Sequence, residues 1–127
     1  MSTRANIKIS DDWDSLWFYR HSDGYPSGVR KTLRKFIGWV VEGRIRADAG
    51  QASGWLIIIG NQEYDAGQEP KEEDGIFGWK VGAYEPTSGK HGDIAYLYDI
   101  NLSEKTIKIN DDTYSFEQYL DHEIEVD

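Results

Sequence analysis

Apolar and polar residues alternate in two short segments near the start of the chain. Ile7 and Ile9 alternate with polar neighbours in residues 6–10, and residues 16–21 are aromatic and alternating, which is the period of a β-strand. The turn-forming residues 11–14, three of them aspartates, separate the two segments. The pattern therefore predicts a β-hairpin with its turn at these residues.

The period then changes to that of a helix. Apolar residues recur every three or four positions from Val29 to Val41, with Pro26 ahead of the segment and Gly43 after it. Since proline favours the first turn of a helix and glycine the residue after its end, a helix is predicted over about residues 27–42. The apolar run Trp55–Ile59 suits a buried strand, but small residues at 49 and 52 also permit a helical period, and we predict a second helix.

Strand-like segments return in the second half of the chain. They span residues 77–84, 94–102 and 106–109, and a polar turn at 103–105 joins the last two. Ser115 and Gln118 have the spacing of a capping box, which predicts a short terminal helix, with an extra strand as the alternative. Together the elements predict a single α+β domain over residues 1–127, with an antiparallel sheet of about five strands packed by one long and one or two shorter helices.

Composition excludes several classes of chemistry. The chain of 127 residues contains no cysteine, which excludes disulfides, thiolate zinc sites and cysteine nucleophiles. The N-terminus has no apolar signal core, and the longest apolar run is far too short to cross a bilayer. We expect a cytoplasmic protein with no membrane partner, and we predict no cofactor and no metal, because the sequence holds neither a common nucleotide-binding motif nor a complete set of metal ligands.

Charge is distributed unevenly along the chain. The net charge is −9, yet residues 1–46 carry nine Lys and Arg against five Asp and Glu, whereas residues 47–127 carry five against eighteen. An acidic surface disfavours direct binding to nucleic acid and suits a basic protein surface. The expected partner is therefore a protein target with a basic surface, while the basic part of the chain suits a small anionic ligand. A homodimer is left open.

The densest cluster of reactive side chains lies between the second strand and the first helix. The segment Tyr19–Gly28 combines a cation, an imidazole, a carboxylate and two phenols beside the predicted helix start. Helix N-termini favour anions, and arginine and imidazole add charged hydrogen bonds. In a purely structural interpretation, Asp23 and Ser27 only cap the helix. The residues predicted to bind a small anionic or nucleotide ligand are Tyr19, Arg20, His21, Asp23, Tyr25, Ser27, Gly28, Arg30 and Lys31.

The pattern His-x-Asp occurs twice, at residues 21–23 and 91–93. Histidine beside a carboxylate suits a divalent metal or a general acid–base pair. A small metal-dependent hydrolase that uses His21, Asp23, His91 and Asp93 is therefore an alternative function. No nucleophile elbow of the Gly-x-Ser-x-Gly type accompanies the pattern, which favours a protein that is not an enzyme.

Aromatic and acidic residues together indicate a protein-binding surface. The chain has five Trp and eight Tyr, and aromatic side chains dominate both cores and binding hot spots. Trp39 and Trp55 are predicted to lie in the core, whereas Trp13, Tyr25 and the segment 84–86 are predicted to be exposed. An acidic surface with exposed aromatics is suited to occupy the nucleic-acid groove of a basic protein. The residues predicted to bind such a partner are Trp13, Glu69, Glu72, Glu73, Asp74, Asp111 and Asp112.

The segment Tyr19–Val29, which reads YRHSDGYPSGV, resembles the strand-to-helix signature of small uncharacterised proteins of phages and mobile elements, which carry an Arg-His-x-Asp-Gly-Tyr-Pro run. Residues 92–98 are similar to a later strand of these proteins. The resemblance implies a mobile-element context in a bacterial host, where small acidic proteins often inhibit host defence. The favoured function is thus a non-catalytic phage-type binding protein, an anti-CRISPR-like inhibitor that docks an acidic surface on a basic target. A binder of a small anionic ligand and the small metal-dependent hydrolase are the alternatives.

Overall fold

The computed structural model describes residues 2–62, 72–73, 75–77 and 83–121. Three helices and eight strands lie within these ranges. In chain order they are β1 (Ala5–Ser10), β2 (Ser15–Arg20), α1 (Pro26–Val41), α2 (Ala49–Asn61), β3 (Glu72–Glu73), β4 (Ile76–Phe77), β5 (Glu85–Thr87), β6 (Tyr96–Asn101), β7 (Thr106–Ile109), β8 (Asp112–Ser115) and α3 (Phe116–Asp121).

Six of the strands form one mixed sheet in the order β5-β2-β1-β6-β7-β8, and β3 pairs with β4 in a separate two-stranded ribbon. All neighbours in the main sheet are antiparallel except β1 and β6, which run parallel from the pair Ala5 and Tyr96 to the pair Ser10 and Asn101. The α+β class is confirmed, but the expected antiparallel sheet of about five strands is wrong in number and in direction. A parallel pair arises because the chain passes through α1 and α2 before β6 returns beside β1.

The core lies between one face of the sheet and the helices. This inner face carries alternate residues of each strand, because successive side chains point to opposite faces, and β1 contributes Ile7 and Ile9 with no exposed surface. On the helix side, α1 buries the stripe that its period predicted. The fully buried side chains of the inner face and of α1 include Ile7, Ile9, Tyr98, Ile100, Ile107, Val29, Leu33, Phe36 and Ile37.

Capping side chains fix where α2 and α3 begin. Asp48 is the N-cap of α2, and its carboxylate accepts a hydrogen bond from the N–H of Gln51 at 3.0 Å. At α3, the N–H of Gln118 donates to Ser115 Oγ at 3.0 Å, and the N–H of Ser115 donates to Gln118 Oε1 at 2.8 Å. These reciprocal bonds confirm the predicted capping box and its helix.

The second predicted helix is confirmed, although one of its aromatic side chains lies elsewhere than expected. Leu56 of α2 is fully buried, but Trp55 is 40% exposed and therefore does not lie in the core. The reason is rotation by about 100° per residue, which turns one face of any helix away from the sheet. Among the described residues, none of the helices combines the length and the hydropathy that a membrane span requires.

The remaining strand predictions have mixed outcomes. The hairpin β1–β2 and the antiparallel pair β6–β7, with its turn at 103–105, are confirmed. Strands β5 and β8 were not predicted, since each is a short edge strand, one with Pro86 and one with Asp112. The predicted strand 77–84 lies largely outside the described residues.

One buried hydroxyl connects the sheet to the loop that follows β2. Tyr98 is fully buried, and its hydroxyl donates a hydrogen bond to the carbonyl oxygen of Gly24 at 2.6 Å. The variant Tyr98→Phe removes this hydroxyl and leaves the Gly24 carbonyl without its donor. We therefore expect the free energy of unfolding, measured by urea titration, to fall by about 1–3 kcal/mol. The control Tyr96→Phe alters a half-buried neighbour on the same face and is expected to change stability much less. Equal losses from the two variants would contradict this role.

Candidate functional site

The loop between β2 and α1 is held by the backbone and by close packing. The N–H of Gly24 donates to the carbonyl of Thr3 at 2.9 Å, and Asp23 adopts a left-handed backbone with φ of 54°. A side chain at Gly28 would collide with the backbone oxygen of Asp23. Glycine at 28 is therefore required by the fold of the loop itself, independently of any ligand.

Arg20 serves the same loop from inside the protein. It is 2% exposed, and its Nε donates to the carbonyl of Ser22 at 2.9 Å. Its guanidinium lies over the ring of Tyr84 at 5.1 Å from the ring centre. Tyr84 is only 1% exposed, which contradicts its predicted exposure. The guanidinium of Arg20 therefore interacts with neighbouring protein groups, and the side chain presents almost no surface to an external anion.

The start of α1 offers less to an anion than the sequence predicts. Tyr25 is the N-cap and makes no capping bond with its side chain, Pro26 has no N–H, and the N–H groups of Gly28 and Val29 both donate to the carbonyl of Tyr25. Lys31 is exposed, whereas Arg30 is half buried.

The charge of Arg30 acts on α3. Burial raises the pKa of Tyr119 in α3 to about 12, and the charges of Arg34 and Arg30 oppose that rise. Arg30 is therefore close enough to α3 to influence Tyr119, in addition to its position near the helix start.

The two His-x-Asp segments come together on the outer face of the sheet, around Tyr19. The ring of His91 stacks on that of Tyr19 at 3.9 Å between centres, and the ring of His21 meets it edge-on at 4.5 Å. The hydroxyl of Tyr19 donates to Asp93 at 2.9 Å. We call this group the Tyr19 cluster, and it consists of Arg4, Tyr19, His21, Glu85, His91 and Asp93.

Strand β5 positions both histidines. Tyr19 lies opposite Glu85, and Glu85 Oε2 is 2.7 Å from His21 Nε2. The hydroxyl of Thr87 is 2.9 Å from His91 Nε2, and the N–H of His91 donates to the buried Asn6 at 2.7 Å. The loop after β5 is thereby closed over the outer face of β1 and β2. A three-residue strand containing proline carries too little pattern for sequence reasoning to find Glu85 and Thr87.

Both carboxylates of the Tyr19 cluster already lie beside basic side chains. Arg4 lies 3.2 Å from Asp93, and His21 lies beside Glu85. An added anion must compete with these carboxylates, so the cluster is a poor anion site. Asp23 lies outside it and instead accepts a long bond of 3.4 Å from Tyr25. In the part of the chain that the structure describes, no three His, Asp or Glu side chains are grouped as metal ligands.

The turn between β1 and β2, residues 11–14, forms a second candidate site that we call the hairpin tip. Trp13 is 90% exposed, and the aspartates on either side of it, Asp12 and Asp14, are exposed as well. The backbone below Trp13 is nevertheless held firmly. Asp11 Oδ1 accepts from the N–H groups of Trp13 and Asp14, both at 2.7 Å, and Asp11 Oδ2 accepts from the N–H of Ala49 in α2 at 2.8 Å.

Asp11 therefore connects the hairpin tip to the first turn of α2. The N–H groups of Ala49, Asp14 and Trp13, in that order, hold the pKa of Asp11 below its ordinary value because they stabilise the charged form. The signal for this role is an aspartate in the first position of a tight turn, where its side chain can accept bonds from the residues that follow.

The predicted partner-binding residues do not form one surface. Trp13 lies in the turn that follows the last residue of β1, whereas Asp111 and Asp112 are exposed in the turn from β7 to β8. That turn lies at the opposite end of the sheet, because Asp112 pairs with Ile109 and Ile109 pairs with Tyr98 of β6. Glu72 and Glu73 form strand β3, of which only the backbone is described, and Glu69 and Asp74 lie outside the described residues.

An apolar cleft of about 840 Å³ opens at the same end of the sheet as the hairpin tip. Ala47 and Leu102 form part of its wall, and both adjoin the tip, because the N–H of Leu102 donates to the carbonyl of Ser10 and Asp11 binds Ala49. Arg46, Lys105, Glu104 and Glu117 give the rim mixed charge.

Comparison of the chain with protein-family models, with curated proteins and with solved structures finds no match.

Replacing the Tyr19 hydroxyl tests the connection within the Tyr19 cluster. The bond from Tyr19 is the largest cause that lowers the pKa of Asp93, so Tyr19→Phe is expected to raise that pKa towards the ordinary value of about 3.9. A lowered pKa stabilises the fold above the ordinary pKa, and the contribution disappears as the pH falls through the pKa of the folded state. Carbon-13 NMR titration of the Asp93 carboxyl measures the shift.

The control for this titration is Tyr25→Phe, because the Tyr25 hydroxyl contacts Asp23 and has no bond to Asp93. We expect the Asp93 titration to be the same in this variant as in the wild type. An unchanged Asp93 pKa in Tyr19→Phe would show that the hydroxyl does not hold the carboxylate in solution.

Proposed function

We propose that this chain is a non-catalytic binding protein that docks its hairpin tip on a basic surface of another protein. The observation that carries the proposal is the 90% exposure of Trp13 on a turn whose backbone Asp11 fixes. A large apolar side chain at such a position does nothing for the core of this chain. Tryptophan is the residue most enriched in binding hot spots, where it fills a pocket of the partner.

The fixed turn reduces the cost of binding. A flexible loop loses conformational entropy when it binds, whereas a turn already held by three hydrogen bonds to Asp11 loses little. Trp13 also has only two side-chain torsions to restrict. The hairpin tip is thus organised before the partner arrives, which supports a docking role over a role as a mere connection.

The surroundings of Trp13 define the chemistry of the partner. Asp12 and Asp14 are exposed beside it, and Asp48 follows at the start of α2. Carboxylates at the rim of an interface steer the approach of a basic partner and discriminate against acidic ones. The adjoining apolar cleft offers a place for an apolar side chain of that partner.

The resemblance of residues 19–29 to phage and mobile-element proteins supports a particular class of target. Within a bacterial host, the basic surface that an acidic protein with an exposed aromatic fits is the nucleic-acid groove of a defence effector. The chain would then act by occupying that groove. Inhibition of the effector is a consequence of this proposal, with no reaction carried out by the chain itself.

Trp13→Ala tests the proposal. We expect the tagged wild-type chain to capture a basic protein from a bacterial lysate and the Trp13→Ala variant to lose it. With the captured protein purified, the affinity is expected to fall at least about thirtyfold, which corresponds to 2 kcal/mol at a hot spot. The melting temperature should change little because the side chain is exposed.

Two charge reversals provide a matched comparison. Asp12→Lys with Asp14→Lys and Asp111→Lys with Asp112→Lys change the net charge equally but lie at opposite ends of the sheet. Only the first pair is expected to abolish capture, because close charges act more strongly than screened distant ones. Full capture by Trp13→Ala, or an equal loss from both reversals, would contradict docking through the hairpin tip.

A further inference from the structure

The outward side of α2 forms a second exposed surface, separate from the hairpin tip. It consists of Gln51, Gly54, Trp55, Ile58 and Gln62, which are all exposed and follow the helical spacing of three or four residues. We call it the α2 outer face. Trp55 is 40% and Ile58 is 51% exposed. A side chain at Gly54 would have no atom within 4 Å, so the helix surface beside Trp55 is open.

The composition of α2 does not suit a helix with one face in water. Residues 49–62 contain no charged residue, although 29% of the chain is charged. A surface helix normally carries charged side chains on its outward face, whereas the outward face of α2 carries Trp55 and Ile58 between two uncharged glutamines. The exposed Trp55 and Ile58 therefore call for a cover that lies outside the described contacts of this chain.

We propose that a second copy of this chain covers the α2 outer face. The basic protein proposed to bind the hairpin tip does not suit this face, because the five residues of the α2 outer face include no carboxylate that would attract a basic surface. Two copies can meet through this face without bringing like charges together, because the face itself is uncharged although each copy carries a net charge of −9. None of the five residues of the α2 outer face belongs to the hairpin tip, so substitutions in this face test the proposal separately from the proposed function.

The charges at the two ends of the face indicate an antiparallel pair. Lys35 of α1 donates to Gln62 Oε1 at 3.1 Å and so places a cation at the C-terminal end, while Asp48 places a carboxylate at the N-terminal end. A parallel pair would bring two Asp48 carboxylates together. An antiparallel pair instead brings Asp48 of one copy towards Lys35 of the other.

The same arrangement matches the shapes of the two faces. Around a two-fold axis between residues 56 and 57, Trp55 of each copy lies over Ile58 and the open space at Gly54 of the other, and Gln51 lies beside Gln62. Such a contact is isologous, because each pair of residues occurs twice.

The expected dimer is weak. A helix of 13 residues is about 20 Å long and 10 Å across, so each face covers about 200 Å² and the two faces bury on the order of 400 Å² in total. Standard stable interfaces bury at least about 1,200 Å². We therefore expect a reversible dimer that appears as the concentration rises from micromolar to millimolar.

Sedimentation velocity across this concentration range tests the proposal with a matched pair of variants. Ile58→Lys is expected to keep the protein monomeric, whereas Val41→Lys, at 49% exposure on α1, should dimerise like the wild type. Gly54→Leu provides a second, opposite readout. Leucine favours the helix over glycine, so the monomer should melt at a higher temperature while the bulk of the side chain prevents dimerisation.

The direction of the pair has its own test, because the chain contains no cysteine. The variant with both Gln51→Cys and Gln62→Cys is expected to form covalent dimers on mild oxidation, whereas Gln51→Cys alone should not. A wild type that stays monomeric at millimolar concentration would overturn the proposal and leave the face to a different occupant. Equal loss of dimer in Ile58→Lys and Val41→Lys, or a Gly54→Leu variant that still dimerises, would overturn it too.

Discussion

The parallel pairing of β1 with β6 determines where the hairpin tip and the Tyr19 cluster lie within the described part of this protein. Strand β1 is central in the sheet, and β6 runs beside it in the same direction over six residue pairs. The C-terminal ends of both strands therefore lie at the same end of the sheet, where the hairpin tip, the apolar cleft and the start of α2 adjoin one another. The Tyr19 cluster and the turn at Asp111 lie near the other end of the sheet, about 20 Å away, since a strand of six residues spans about 3.3 Å per residue. Binding at one end is thus separated from the network at the other.

The two ends use their carboxylates in different ways. Asp93 and Glu85 are bound to Tyr19, Arg4 and His21, and together they close the loop after β5 over the sheet. The carboxylate of Asp11 likewise accepts hydrogen bonds from three N–H groups. These bonds fix a turn that presents Trp13 and leaves Asp12 and Asp14 exposed. A network of mutually hydrogen-bonded side chains holds the loop after β5 in place, whereas exposed carboxylates around a fixed tryptophan are suited to recognition. This contrast is why the proposed function rests on the hairpin tip.

Local patterns predict the elements of this fold better than they predict its assembly. The period of α1, the alternation in β1 and β2 and the capping box of Ser115 are properties of neighbouring residues, and each predicted the observed element. The parallel β1–β6 contact joins distant parts of the chain, so no local period reveals it. The role of Arg20 depends on the same kind of contact between distant parts of the chain, because only folding places its guanidinium over the ring of Tyr84. Trp13 was predictable as an exposed aromatic among aspartates, while the bond from the N–H of Ala49 to Asp11, which anchors the turn below Trp13, needed the structure.

Photo-crosslinking from position 13 tests the central claim most directly. A photoreactive phenylalanine derivative replaces Trp13 in cells that contain the target, and the same residue at position 111, which is exposed at the opposite end of the sheet, serves as the control. We expect irradiation to join position 13 to one basic protein, and we expect the product to disappear when Asp12 and Asp14 are also changed to lysine. Position 111 should give no such product. A crosslink pattern that is the same from both positions, or a product that persists without the two aspartates, would contradict docking through the hairpin tip.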